Sequence, residues 1–267
     1  PPPPPPPPPA QPMKDQTLAN NKNIFANISD VAFEGSKFVK GPVRAVVVDF
    51  HGLGYTAIKT IPGTTELEYA AHGALPVSPA FGPWSWMNRQ ARRLVDVIVD
   101  RVYAENNLDD TVPLILTGGS MGGHAALNYA RYAKRRPVAV ACNCPVCDPR
   151  FHATERPDLP RTFLLAYGGD ELSPAVLDAA MTENSPLEQV AAMPRIPYLI
   201  VHGDADQSVN KAAHSDRFVA AMRASGHDIE YLEAPGMTHG QFNDFAIWRR
   251  SVDFIIDAIH PSLGPRP

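Results

Sequence analysis

Short, nearly unbroken apolar runs recur along the chain: VRAVVVDF (43–50), VPLILT (112–117), PVAVAC (137–142), IPYLIV (196–201) and IEYLEA (229–234). Runs of this length without polar alternation suit strands covered on both faces. A shorter run at 75–77 predicts one more strand. Between the runs, apolar residues fall at helical spacing. Met87, Ala91, Leu94, Val95, Ile98, Val99 and Val102 form one such stripe, and Phe245, Trp248, Val252, Ile255, Ile256 and Ile259 form another. Strands alternating with helices predict crossover units and a mostly parallel, doubly wound α/β sheet. The weaker stretch ISDVAFEGSKFVKG (28–41) suits an antiparallel hairpin at the sheet edge.

Residues 148–190 break the alternation. DPRFHATERPDLPRT is charged and punctuated by proline, whereas SPAVLDAAMTENSPLEQVAAM has helical spacing. Ser173 and Ser185 each precede a proline, the pairing of an N-cap with the first helical position. The segment predicts a small helical lid inserted into one domain that runs from 13 to 267. The nine prolines at the start form no core. Residues 1–12 read as a non-native or disordered tail, with Met13 as the natural start.

Hydrophobic residues make up 44% of the 267, enough for one large core. A net charge of −4 gives no surplus of cations for a nucleic acid. No apolar run reaches the ~18 residues that span a bilayer. Three cysteines, an odd number, argue against a disulfide framework. The expectation is a cytoplasmic protein with no nucleic-acid or membrane partner. A homo-oligomer stays open.

Chemistry enters at TGGSMGG (117–123). It directly follows the run VPLIL and precedes HAALNYARYAK, a good helix. Strand, Gly118-x-Ser120-x-Gly122, helix is the context that exposes a serine hydroxyl on a strained turn. A phosphate loop would carry a Lys-Ser/Thr pair or the G-x-G-x-x-G spacing, and neither is present. Ser120 is therefore the candidate nucleophile, and it needs a base to take its proton. HGDADQSV and PGMTHGQF follow the strands at 196–201 and 229–234. They place Asp206 and His239 in loops at the carboxyl ends of consecutive strands. Asp204 is the rival acid, and the spacing Gly203-x-x-Asp206 favours Asp206. His202 and His51 precede glycines at strand ends and read as loop-packing residues. Oxyanion donors are expected from the Met121 amide and from the Leu53 amide in HGLGYT, the alternative for that loop being a plain tight turn.

The strand ending in HGLG, the GGSMGG elbow, HGDADQSV and GMTHGQF together resemble the α/β-hydrolase superfamily over about residues 40–260. SPLEQVAAMPRIPYLIVHGDADQSV is similar to the prolyl-oligopeptidase and dienelactone-hydrolase-like branch. The resemblance implies an α/β-hydrolase fold and a Ser120–His239–Asp206 triad that needs no metal or organic cofactor. It does not imply a peptidase, because prolyl oligopeptidases carry a large propeller for which these residues leave no room. Dienelactone hydrolases use cysteine where this elbow has serine. The expectation is a serine carboxylester hydrolase that acts through an acyl-enzyme on a small ester of a carbohydrate or aromatic compound. A peptidase for short peptides and a non-catalytic binding protein stay open.

Three aromatic residues are expected to bind substrate: Trp84 and Trp86 in PAFGPWSWMN (79–88), and Tyr55 in the HGLGYT loop. For the tryptophans, with Phe81 beside them, burial against the neighbouring helix is the equal alternative. Cys142, Cys144 and Cys147 with His152 have the donors of a zinc site, but small buried thiols are the stronger expectation. In the lid, Glu155, Arg156, Asp158 and Arg161 are expected to pair with each other or face solvent, rather than hold a substrate carboxylate.

Overall fold

The computed structural model describes residues 25–260. The proline tail and Met13 lie outside the described residues. Seven strands form one sheet: β1 (Ala32–Glu34), β2 (Ala45–Phe50), β3 (Ala74–Pro79), β4 (Leu114–Gly119), β5 (Pro137–Asn143), β6 (Tyr198–Gly203) and β7 (Ile229–Ala234). Their spatial order is β1-β3-β2-β4-β5-β6-β7. All neighbours are parallel except β1, which pairs antiparallel with β3. The expected edge hairpin is thus a single short strand. Its second half, Ser36–Phe38, is a turn of 3-10 helix, and Gly35 lies so close to Pro76 that a Cβ would meet that ring at 2.6 Å.

Eight helices cover the sheet among the described residues: α1 (Thr64–Ala71), α2 (Arg89–Glu105), α3 (Met121–Tyr132), α4 (Pro149–Glu155), α5 (Leu159–Tyr167), α6 (Pro174–Glu183), α7 (Arg217–Ala224) and α8 (Phe245–Ile259). Residues alternate along each strand between two cores. Val46, Val48 and Phe50 of β2 face α2, α3 and the inserted helices. Ala45 and Val47 face Tyr69 of α1 and Val252, Ile255 and Ile256 of α8. Burial on both faces explains why these strands lack polar alternation.

Residues 148–190 hold α4, α5 and α6. Ser173 caps α6 as expected, its hydroxyl accepting from the Val176 amide. Ser185 caps only a turn. Its hydroxyl accepts from Glu188 N at 3.2 Å, but the chain then forms a 3-10 turn at Val190–Ala192 and meets Pro194. No helix of the described residues is long and apolar enough to cross a membrane.

Candidate active site

The parallel register lines up the carboxyl ends of the central strands: Phe50 opposite Gly118, Gly119 opposite Asn143, and Asn143 opposite Val201. Ser120 sits just beyond β4 with φ 57° and ψ −123°, a conformation that non-glycine residues seldom adopt. The elbow holds this turn by close approach. A Cβ on Gly122 would lie 1.9 Å from the Phe50 carbonyl oxygen, and one on Gly118 would lie 2.5 Å from the Gly122 backbone. Gly123 is close to Pro145 as well, where a Cβ would meet the proline at 2.8 Å. The glycines exist to let α3 start against the end of β2.

Asp206 and His239 meet as their strand order predicts. His239 Nδ1 lies 2.7 Å from Asp206 Oδ2, so Nδ1 carries the proton and donates to the carboxylate. The His239 side chain is 28% exposed, whereas that of Asp206 is fully withdrawn from solvent. Gly203 allows the two loops to touch, since a Cβ there would fall 1.9 Å from the Met237 carbonyl oxygen. Asp204 is exposed and accepts instead from the Gly236 amide at 2.6 Å. That contact holds it apart from His239, and Asp206 is the carboxylate that His239 meets.

Asp206 has more donors than the sequence reading assigned it. Ser208 N and Val209 N donate to Oδ1 at 2.8 and 3.0 Å. His202 Nε2 donates to the Val209 carbonyl at 3.0 Å and lies 3.3 Å from Asp206 Oδ2. Ser215 donates to His202 Nδ1 at 2.6 Å, which fixes the tautomer. Burial by itself raises the Asp206 pKa. The hydrogen bonds from His202, His239, Val209 and Ser208 outweigh it and hold the carboxyl well below the usual range. His202 is therefore a partner of the acid as well as a packing residue. His51 does pack: it stacks on Phe81 at 4.2 Å, and burial lowers its pKa.

Asn143 was also missed. Its carbonyl accepts from Ser120 N at 2.9 Å, and its side-chain amide donates to the Gly240 carbonyl at 3.3 Å. One residue thus ties the elbow to the histidine loop. The signal available was its position, last in the strand beside the elbow. The Met121 and Leu53 amides donate to no other described residue. Gly54 N donates to the Pro83 carbonyl at 2.8 Å, which sets the HGLGYT loop beside the loop of Trp84.

Trp86 corrects an expectation. It is 0% exposed, stacks on Phe163 of α5 at 4.3 Å and donates Nε1 to Thr162 at 2.9 Å. Phe81 is buried too. Trp86 is a core residue that anchors the insertion and cannot touch a substrate. Trp84 and Tyr55 are 44% and 45% exposed, on the adjoining loops.

The four residues weighed for zinc do not converge. Cys142 and Cys147 lie in one core and Cys144 in the other, on the opposite sheet face. Two other groups bring ligand atoms together: Cys144–Asp206–His239 and His152–Glu155–His214. In the first, His239 Nδ1 is committed to Asp206, and burial pushes the Cys144 thiol up to about 12. In the second, His214 Nδ1 accepts from the Cys147 and Asp148 amides, both at 3.1 Å. Its Nε2 must then carry the proton that it donates to Glu155 at 3.0 Å. His152 donates Nδ1–H to the same carboxylate oxygen, and Asn210 N donates to the other at 2.7 Å. This is a complete hydrogen-bond network with no lone pair left for a metal on His214. The other lid charges pair as expected, Arg156 with Asp158 and Arg161 with Asp170.

The sequence profile of the prolyl oligopeptidase family, Peptidase_S9, matches residues 92–259, a span that holds the elbow, Asp206 and His239. The chain belongs to the prolyl oligopeptidase family. Solved structures share the fold. A Mycobacterium tuberculosis puromycin-hydrolyzing peptidase is 21% identical with a TM-score of 0.67 over 85% of this chain and 35% of its own. The acylaminoacyl peptidase of Pyrococcus horikoshii is 14% identical with a TM-score of 0.63, over 78% of this chain and again 35% of its own. Esterase B from Lactobacillus rhamnosis is 16% identical with a TM-score of 0.63 over 93% of both chains. The chain thus spans about a third of the length of these peptidases. No curated protein matches the sequence.

Proposed function

We propose that this chain is a serine hydrolase that cleaves carboxylic esters through an acyl-enzyme. The observation that carries the reading is the His239–Asp206 bond of 2.7 Å, formed beside a serine held at φ 57° and joined to that loop through Asn143. With Nδ1–H committed to Asp206, Nε2 is the nitrogen free to take the Ser120 proton. Ser120 Oγ then bonds to the acyl carbon, and the oxyanion is held by the Met121 and Leu53 amides. The carbonyl re-forms as the alcohol leaves with the proton from His239. Water, deprotonated by His239, attacks the acyl-enzyme and releases the acid and Ser120. Trp84 and Tyr55 on the loops beside the oxyanion donors would pack on the acyl group. The peptidase reading is favoured by the family name, prolyl oligopeptidase, and by fold relatives such as the acylaminoacyl peptidase.

The two are separated by assaying p-nitrophenyl acetate, butyrate and octanoate beside aminoacyl-arylamides, with Ser120→Ala as control. Ester turnover that vanishes in Ser120→Ala, with slow arylamide turnover, supports the esterase. Preferred arylamide turnover would make it a peptidase. Neither activity, and no labelling by a fluorophosphonate, would leave a binding protein on a hydrolase fold.

A further inference from the structure

On the α1–α8 side of the sheet, beside the elbow, lies a cavity of about 390 Å³. That is within the range of small-ligand sites. Gly118, Gly119, Asn143 and Gly240 form its edge next to Ser120 and His239. Its polar groups include Asp49 at the end of β2, Lys59, Glu66 and Tyr69 of α1, Thr117 of β4 and Ser251 of α8, with Phe242 and Trp248 as aromatic walls. Asp49 and Lys59 also line a second cavity of about 260 Å³, which runs under His51, Gly52 and Tyr55. The two cavities therefore adjoin from the oxyanion loop to the histidine loop.

Most buried polar groups have hydrogen-bond partners. Here Glu66 is tied down by Lys59 and by the Gly63 amide. Tyr69 is only 3% exposed as a residue, and its hydroxyl, which faces the cavity, makes no hydrogen bond to a described residue. The side chains of Asp49, Thr117 and Ser251 are half-buried and make no hydrogen bond to a described residue either, so they are open to whatever fills the cavity. Four unpartnered groups, three of them able both to donate and to accept, converge on one space.

The charges decide the ligand class. Lys59 opposes a cation, and Asp49 and Glu66 oppose an anion. What remains is a neutral group with several hydroxyls and a C–H face to lay on an aromatic ring. The geometry points to this cavity as the subsite for a polyhydroxylated alcohol, such as a sugar ring, on the leaving-group side of the ester. This rests on the esterase reading above. Burial and the Glu66 carboxylate, opposed by Lys59, push Asp49 up to about 7. Hydroxyls bonded to Asp49 would replace the solvation that burial removes.

The test compares kcat/KM for a monoacetylated methyl glucoside with that for p-nitrophenyl acetate, in the wild type, Asp49→Asn and Tyr69→Phe. The ratio of sugar ester to nitrophenyl ester is expected to fall about tenfold in each variant, one lost hydrogen bond at a time. An unchanged ratio in both variants overturns the subsite. If the wild type cleaves neither ester, the esterase reading fails, and binding decides the cavity separately. Saturation-transfer NMR with methyl glucoside should then show contact that Asp49→Asn weakens. No contact at tens of millimolar sugar overturns the proposal.

Discussion

His202 Nε2 lies 3.3 Å from Asp206 Oδ2, with both side chains wholly withdrawn from solvent. A buried carboxylate is costly unless its lone pairs are met, and His202 meets one that His239 leaves. His202→Leu should lower kcat about tenfold while moving KM little, because it loosens the acid that orients His239. His202→Gln, which retains a donor, should recover much of the loss. If Leu and Gln behave alike, the contact does not position the acid. Steady-state kinetics on the best ester measures both.

Gly122→Ala should abolish folding or destabilise by about 3 kcal/mol or more, since its Cβ would sit on the Phe50 carbonyl and neither backbone can retreat. Gly119→Ala is the matched control: its Cβ would meet Asn143 at an ordinary 3.5 Å. Thermal melts of the two variants should differ by many degrees, and equal melts would remove the close-approach argument.

Asp49 gives a pH signature of stability. Its folded pKa of about 7 is raised from 3.8, so the folded state holds the proton more tightly than the unfolded state does. The resulting penalty is absent below pH 3.8, grows as pH rises, and is complete above about 7. Asp49→Asn should therefore raise Tm at pH 8 more than at pH 4.5. Calorimetry at the two pH values checks the sign.

Glu155 runs the other way. Burial alone would raise its pKa, but hydrogen bonds from His152, His214 and the Asn210 amide bring it from 4.5 down to about 2. Its stabilisation is full above pH 4.5 and is lost as pH falls towards 2. Glu155→Gln places an amide N–H where three donors already point. Tm should fall at pH 7, and the gap from wild type should narrow below pH 4. A constant gap would count against the ionised network.

Much of the frame was legible because its signals are local. The apolar runs marked β4–β7, and the order Ser120, Asp206, His239 followed from loops at strand ends. Even which of Asp204 and Asp206 meets His239 followed from spacing. What escaped depends on partners distant in sequence. Trp86 looks like a surface aromatic until α5 brings Phe163 over it. Asn143 carries no motif, and its role exists only once β5 lies beside the elbow. His202 and Glu155 are ordinary until the 203–216 loop folds back onto them. Ser185–Pro186 has the grammar of a helix start, yet the chain there makes only turns and the 3-10 turn at Val190–Ala192.

The Glu155 carboxylate belongs to two segments at once. Glu155 ends α4 of the insertion, bonded to His152 one turn earlier in the same helix, and through Asn210 and His214 it holds the loop that follows Asp206. The insertion is consequently not a detachable module. Swapping it for a relative's insertion would cut the brace behind Asp206. Inheritance and protein engineering alike would have to exchange α4 and the 203–216 loop as a single unit.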